Sequence, residues 1–195
     1  MKTPFRIILF AVMSAAILAA PASQILKHER VLREGRAFRF RTQPVDPYDA
    51  FRGRYVRLSF AELTAVIPPG MELSYRSRGE DVQVAIGEDS NGFAIVRSVS
   101  KEPPAGTRDY VTMETGWRWG QETNGIINLV PPFSQFFMNE KLAPLSEDAY
   151  RRLNRRTTTN VWAVVRVLDG RGVIENLMFE GVPAADYVRD QKLEK

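Results

Sequence analysis

The chain has 195 residues, of which 44% are hydrophobic and 26% are charged, as is ordinary for one globular domain with an appendage. It contains no cysteine, which excludes disulfides, thiolate zinc sites, cysteine nucleophiles and a lipid anchor on an N-terminal cysteine. The formal charge of +4 comes from residues 1–41, because residues 42–195 together carry −2. The folded part is therefore not basic, and we expect no nucleic-acid partner.

The N-terminal segment is apolar enough to enter a membrane. Residues 7–26 are uncharged and, as a helix, span about 30 Å, the thickness of the hydrocarbon core of a bilayer. A cleavable signal peptide fits the basic start and the small-residue site Ala20-Pro21-Ala22. An uncleaved anchor fits the full length, with the helix continuing as far as Leu32. The residues alone leave both interpretations open.

Positive charge follows this segment directly. Six cations and only Glu29 and Glu34 lie between Lys27 and Arg41. Such a cluster is attracted to anionic lipid headgroups by about 1 kcal/mol per cation. An equally favoured interpretation is that these side chains are simply solvated charges on a helix extension and a first strand. Basic residues usually mark the cytoplasmic flank of a span, but long domains translocate largely regardless of flanking charge. We therefore expect the N-terminus inside and the domain outside the cytoplasm.

Most of the remaining chain predicts short antiparallel strands. Residues 35–42 alternate aromatic and arginine side chains, the pattern of a half-buried strand, and Asn91-Gly92 is typical of a hairpin turn. Further β-rich segments bounded by turn residues are 54–63, 81–88, 92–100, 110–119, 126–130, 136–138, 161–168 and 172–179. No strand–helix alternation supports parallel crossovers. The fold class is therefore mainly β, an antiparallel barrel or sandwich with an N-terminal transmembrane helix.

One or two short helices are expected near the C-terminus. Ser146 is a candidate N-cap, followed by acidic residues in the first turn, and Leu145 and Tyr150 have the spacing of a hydrophobic staple. Residues 184–195 predict a short polar helix or a frayed end. We expect two parts in the chain: residues 1–34 form the anchor with its basic extension, and residues 35–195 form one β-rich domain.

The most distinctive block runs from Pro44 to Phe60. The prolines in Pro44-Val45-Asp46-Pro47 fix the backbone of a turn, in which Asp46 and Asp49 can accept backbone N–H groups. Gly53 allows a positive φ or a bulge at the entry to the next strand. In that strand Val56, Leu58 and Phe60 share one face, which we expect to be buried.

This block resembles the signature of the GDYXXLXY protein family. Members typically show a Pro-Val-Asp-Pro turn, then Arg-Gly-Asp-Tyr and Leu-x-Tyr. The chain matches at Pro44, Asp46, Pro47, Arg52, Gly53, Tyr55 and Leu58, and it departs at Arg54, where the family usually has Asp, and at Phe60, where it usually has Tyr. The resemblance implies a membrane-anchored β-rich domain outside the cytoplasm that accompanies integral membrane proteins, with no reaction assigned. It favours the uncleaved anchor.

The residues do not assemble a catalytic constellation. His28 is the single histidine and lies next to the apolar segment, so neither a histidine triad nor a two-histidine metal site can be built, and a solvated interfacial side chain is expected. A serine–lysine hydrolase would need Ser23 together with Lys101 or Lys141. Ser23, however, lacks the sequence motif that surrounds the serine in such enzymes. Asp46 and Asp49 could ligate a divalent cation, but capping of backbone amides is favoured. We expect no enzyme activity, no cofactor and no metal.

Two further side-chain groups have alternative interpretations. The arginines at 151, 152, 155 and 156 could contact phosphate or an acidic partner, but a solvated helix face is favoured. Trp117 and Trp119 are expected to point into the barrel, as core residues or as a stacking platform for a ligand.

The function expected from the sequence is docking to an integral membrane protein at the bacterial inner membrane, by a single-pass protein with a periplasmic domain. The candidate contact surface consists of the family-motif residues Pro44 to Phe60. A barrel that binds a small ligand or an envelope component is the alternative, and a hydrolase is the third.

Overall fold

The computed structural model describes residues 3–43, 55–60, 63–68, 71, 79–119, 125–154 and 160–193. Within these ranges the chain forms a long helix, α1 (Thr3–Glu34), followed by β1 (Arg36–Gln43), β2 (Tyr55–Arg57), β3 (Ser59–Phe60), β4 (Thr64–Val66), β5 (Asp81–Glu88), β6 (Ala94–Ser100), β7 (Tyr110–Trp119), β8 (Ile126–Val130), β9 (Gln135–Phe137), α2 (Ala143–Asn154), β10 (Val161–Leu168), β11 (Arg171–Phe179), β12 (Val182–Pro183) and α3 (Ala184–Leu193).

The strands form a nearly closed, barrel-like antiparallel sheet, which confirms the predicted fold class. One five-stranded unit has the order β12-β11-β10-β1-β3, the other has the order β4-β8-β7-β5-β6, and β2 pairs with β9. Isolated bridges from Arg39 to Phe93 and from Val111 to Gly170 join the two larger units. Bounds predicted at 81–88, 110–119, 126–130 and 161–168 agree with the structure.

The barrel interior is filled by alternate residues of its strands. Phe38 and Phe40 from β1 are buried, as the aromatic–arginine alternation predicts, and they meet Val82 and Val84 of β5 and Val165 of β10 in one hydrophobic core. Because every second residue of a strand points to the same side, a single closed sheet buries one apolar face and leaves the other for solvent or partners.

Two details of the prediction are wrong. Helix α2 begins at Ala143, where the backbone N–H of Ala143 donates to the carbonyl of Asn139 over 3.0 Å, so Ser146 is inside the first turn and is not the N-cap. The Ser146 hydroxyl is buried without a hydrogen-bond partner among the described residues. The strand predicted at 54–63 is divided, within the described residues, into β2 and β3, because β2 pairs with β9 whereas β3 pairs with β1.

The third correction concerns Trp117, whose side chain is 62% exposed and does not point into the barrel. Thr115 pairs with Leu129 and Arg118 pairs with Ile127, so Gly116 and Trp117 together oppose one residue of β8. Such a bulge inserts one residue and reverses the in–out alternation beyond it. The sequence pattern, which assumes regular alternation, therefore assigned Trp117 to the wrong face.

Candidate functional site

Helix α1 is apolar and its membrane-length window is not buried by the domain. The segment Leu9–Glu34 contains an 18-residue window with a mean hydropathy of 1.9 and is long and apolar enough to cross a membrane. Its large side chains, such as Phe10, Ile17, Leu18 and Leu26, are exposed. Among the described residues, the apolar window of α1 is not covered by the domain, and its length and composition are those of a segment that can cross a membrane.

The last turn of α1 belongs to the β domain. Val31 is buried, and its carbonyl accepts the N–H of Gly35 over 2.9 Å. A Cβ on Gly35 would lie 2.4 Å from the Val31 carbonyl oxygen and 3.0 Å from that of Val167, so the backbone of α1 approaches β10 closely enough to require glycine. The Arg166 guanidinium adds a 3.2 Å hydrogen bond to the carbonyl of Gly35.

Ion pairs hold the same junction from outside. Arg108 Nη2 lies 2.8 Å from Asp169 Oδ2, its Nε lies 3.1 Å from Asp169 Oδ1, and Nη2 also reaches Glu34 of α1 at 3.7 Å. This bidentate hydrogen bond lowers the pKa of the Asp169 carboxyl and raises the pKa of Arg108. Arg36 pairs with Asp109 and with Glu88, both at 3.3 Å. The junction therefore fixes the direction in which the domain leaves α1.

A second cluster fastens β1 to the hairpin β5–β6. One oxygen of Asp89 accepts the N–H groups of Asn91 (2.8 Å) and Phe93 (2.9 Å), and the other accepts Arg41 Nη2 at 2.8 Å. The Arg41 guanidinium lies 4.0 Å from the ring centroid of Phe93. The hydrogen bonds from Phe93, and then from Arg41, lower the pKa of Asp89. Gly92 has a φ of 75°, as the Asn-Gly turn requires.

These contacts divide the predicted cluster of six cations. Arg36 and Arg41 face acidic groups of the domain, so their charge is compensated by structural ion pairs. Arg30 lies 3.1 Å from Glu34 within α1, and Arg33 lies 4.0 Å from Glu29. Lys27, Arg30 and Arg33 lie along the exposed helix surface next to the apolar segment, and the sixth cation, Arg39, is exposed on β1.

The family motif can be followed in part. Pro44, Asp46, Asp49, Pro47, Arg52, Gly53 and Arg54 lie outside the described residues, and of Tyr55 only the backbone is described. Val56 and Leu58 are buried, and Phe60 packs against the core, so the predicted apolar face of this strand is confirmed.

Aromatic side chains surround Phe60 inside the barrel. Its ring lies 5.9 Å from that of Phe40 and 5.3 Å from that of Phe133, and Phe40 and Phe133 lie 5.5 Å apart, all in edge-to-face geometry. The last residue of the motif block thus contributes to packing in this chain, a role for which aromatic edges are well suited.

Helix α2 fixes the point at which the motif segment leaves β1. The Tyr150 hydroxyl, which is buried with its ring, donates a 2.6 Å hydrogen bond to the carbonyl of Gln43. The chain returns as β2, in which Tyr55 is the register partner of Phe137 on β9. Phe137 is 68% exposed, whereas Phe136 packs against the core. An exposed aromatic side chain therefore lies opposite the motif tyrosine.

A cleft of about 430 Å³ lies between α1 and the barrel, and sequence reasoning missed it. Its walls include His28 of α1, Asp81 of β5, Glu114 of β7 and Arg171 of β11. His28 is exposed and lies next to the apolar segment. Its Nδ1 lies 2.8 Å from the carbonyl oxygen of Gln24 on the preceding turn of α1. Asp81 and Glu114 are register partners, 33 residues apart in sequence, and only the strand pairing brings them together. No signal in the sequence identifies this pairing.

The arrangement offers no constellation of three metal-ligating side chains among the described residues. Ser23 donates to the carbonyl of Ala20 over 2.7 Å within α1. Of the four arginines predicted on α2, Arg151 is paired with Glu147 at 2.6 Å, and this hydrogen bond raises the pKa of Arg151. Arg152 is exposed on the same helix, and residues 155 and 156 lie outside the described ranges. Trp117, on the outer side of β7, cannot form the expected platform inside the barrel.

Comparison with known proteins supports the resemblance found in the motif. The family model described as GDYXXLXY protein matches residues 17–177, from the middle of α1 to the end of β11. No curated protein and no solved structure matches the chain. The matched region covers most of the chain and includes the motif block, the Asp89 turn and the junction. The chain therefore belongs to the GDYXXLXY protein family.

Proposed function

We propose that this protein is a single-pass membrane protein whose β domain, on the periplasmic side of the bacterial inner membrane, docks to an integral membrane protein without catalysing a reaction. The observation that carries the membrane part is the exposed apolar surface of α1, which contacts the domain at Val31 and Glu34. The family resemblance favours an uncleaved anchor over a signal peptide, and α1 runs as one helix through Ala20-Pro21-Ala22.

Charge at the end of the span supports contact of α1 with a lipid surface, although it does not favour the periplasmic side, because basic residues usually mark the cytoplasmic flank. Lys27, Arg30 and Arg33 lie on α1 just after the apolar residues, where they can reach anionic headgroups. Arg30 and Arg33 face Glu34 and Glu29 on the same helix, and Arg36 and Arg41 are engaged with the domain, so the attraction comes mainly from Lys27. The domain itself carries no excess of positive charge, so it is the helix that binds the lipid.

The docking surface is the edge of the domain that carries the motif. Phe137 is exposed on the strand position that pairs with Tyr55. In sequence, the motif segment with Asp46, Arg52 and Arg54 connects the end of β1 at Gln43 to the start of β2 at Tyr55. Exposed aromatic residues with arginines nearby are the composition of protein-binding hot spots. The inward side chains of this strand are explained by packing, so contact with a partner is assigned to its outer side.

Co-purification tests this surface. The full chain is crosslinked in native membranes, solubilised and captured, and the co-purified integral membrane protein is identified by mass spectrometry. Phe137→Ala is expected to lower its yield by about tenfold, as for an aromatic hot spot. Val182→Ala, at a 39% exposed apolar residue of β12, is the matched control and should leave the yield unchanged. Equal yields from both variants, with unaltered circular dichroism, would refute docking through this edge.

Topology is tested separately with reporters fused after Lys195. A periplasm-dependent phosphatase is expected to be active and a cytoplasm-dependent fluorescent protein to be dark. The reverse pattern would overturn the periplasmic placement.

A further inference from the structure

The cleft between α1 and the barrel lies where β7 changes its hydrogen-bonding partner. Along the first residues of β7 the partner is the turn between β10 and β11, where the N–H of Thr112 donates to the carbonyl of Gly170 over 2.9 Å. From Glu114 onward the partner is β8, which is followed directly by Pro131 and Pro132. Because a proline has no N–H group, these two residues cannot extend the pairing of β8 toward the turn. The two partners therefore diverge, and the cleft opens between them.

Charged side chains of opposite sign line this cleft without meeting. Asp81 and Glu114 are register partners and both are exposed, and like charges directly opposite each other destabilise a strand pair. Arg171 of β11 lines the same cleft. Among the described residues none of these three side chains forms an ion pair or a hydrogen bond, whereas Arg166 of the neighbouring strand is engaged by Glu175 at 2.7 Å. The cleft therefore presents two repelling carboxylates and an uncompensated guanidinium.

The dimensions of the cleft suit a small ligand. Its volume of about 430 Å³ lies within the range of about 300–1,000 Å³ that is usual for small-molecule sites. Val130 and Val173 contribute apolar side chains to the lining. Gly170 has a φ of 82°, and a Cβ there would lie 3.0 Å from the Thr112 hydroxyl oxygen, so this wall packs closely against β7. A ligand with one cationic and one anionic group would satisfy the carboxylates and Arg171 together.

His28 indicates which anion is at hand. It lines the cleft from α1 and lies two residues beyond Leu26, the last residue of the apolar segment, which is about 3 Å along the helix axis. Ile25 is three residues before His28, therefore on the same side of α1, and is 62% exposed. With α1 placed across a bilayer, as proposed above, His28 brings the cleft to the level of the lipid headgroups. The anion expected at that level is a phosphate, which arginine binds well.

We propose that the cleft binds a phosphoethanolamine group, with its ammonium between Asp81 and Glu114 and its phosphate beside Arg171. A primary ammonium has three N–H donors for the two carboxylates, which the trimethylammonium of choline lacks. The group comes either from the headgroup of phosphatidylethanolamine or from a free ester. The lipid source rests on the transmembrane placement of α1 proposed above, and the free ester does not.

Calorimetric titration with soluble headgroups tests the ammonium site. The full chain is reconstituted in phosphatidylcholine vesicles and titrated with glycerophosphoethanolamine, glycerophosphocholine or glycerol 3-phosphate. The first compound is expected to bind about tenfold more tightly than the other two, because only it donates N–H groups to the carboxylates. Saturable binding of all three with equal affinity would overturn the inference.

Variants of the cleft assign the binding to its charged side chains. Glu114→Gln and Arg171→Gln should each weaken the binding of glycerophosphoethanolamine by about tenfold. Glu102→Gln and Arg39→Gln, at exposed residues outside the cleft lining, are the charge-matched controls and should leave it unchanged. Because Glu114→Gln also removes one of two like charges, it should raise the unfolding temperature of the ligand-free chain while it weakens binding. Cleft variants that bind as the controls do would contradict the proposed site.

Lipid retention distinguishes the two sources. The unmodified chain and the Glu114→Gln variant are reconstituted in vesicles of equal parts phosphatidylethanolamine and phosphatidylcholine, extracted in mild detergent, and analysed for co-purified lipid by mass spectrometry. Enrichment of phosphatidylethanolamine on the unmodified chain that the variant loses assigns the site to the lipid. Binding of the soluble ester without this enrichment assigns it to a free ester. If neither measurement distinguishes the unmodified chain from the variant, the inference is overturned.

Carbonate extraction of the same vesicles separates this inference from the proposed function. If the protein is extracted while glycerophosphoethanolamine still binds in a manner that depends on Glu114, the transmembrane placement fails and the site in the cleft stands, with a free ester as its ligand. If the protein stays in the membrane fraction and neither ester nor lipid binds, the site fails and the anchor stands.

Discussion

Phe60 provides the sharpest test of what the family motif does in this chain. Its ring makes edge-to-face contacts with Phe40 and Phe133 at 5.9 Å and 5.3 Å. Replacing a fully buried Phe by Ala costs 3–5 kcal/mol, and because Phe60 is only partly buried we expect Phe60→Ala to lower the free energy of unfolding by about 2–3 kcal/mol. About 1 kcal/mol of this comes from the two aromatic contacts.

Phe60→Leu is the matched variant, because it keeps most of the apolar volume but removes the ring edges. It should therefore lose only about 1 kcal/mol. Both variants are unfolded with urea as full chains in detergent micelles, and unfolding is followed by near-ultraviolet circular dichroism. If Phe60→Ala unfolds within about 0.5 kcal/mol of the unmodified chain, the end of the motif is not a packing element and the structural reasoning is refuted.

Two further predictions concern the junction and the Asp89 cluster. Gly35→Ala should destabilise the domain by about 1–3 kcal/mol, because the new Cβ would meet the backbone of Val31 and Val167; thermal unfolding that matches the unmodified chain would contradict the close approach. Since hydrogen bonds from Phe93 and Arg41 lower the pKa of Asp89, its contribution to stability is present above the ordinary value of 3.8 and is lost as the pH falls below it. Acid titration of Asp89→Asn should accordingly show a smaller loss of stability below that pH, and identical acid profiles would argue against the cluster.

Stability at the motif bears on the docking proposal. If Val56, Leu58 and Phe60 hold the barrel together, substitutions on this inner face weaken partner binding only by unfolding the domain. Substitution of Phe137 on the outer side should then separate binding from stability. The pair of results distinguishes a motif that preserves the fold from one that also presents a contact surface.

The sequence alone determined the features that depend on local periodicity. The apolar length of α1 follows from composition, and the bounds of strands such as β5 and β10 follow from alternation and turn residues. The buried face of the motif strand was also predictable, because every second residue shares a side. The family was recognisable from one short block, whose prolines and glycine have few alternatives.

Only the tertiary structure decided the rest, because it depends on residues distant in sequence. The bulge at Gly116 moved Trp117 from the expected interior to the outside, and a bulge depends on the partner strand rather than on the residues themselves. Arg108 meets Glu34 at the junction of α1 with the domain, and strand pairing alone brings Asp81 to Glu114.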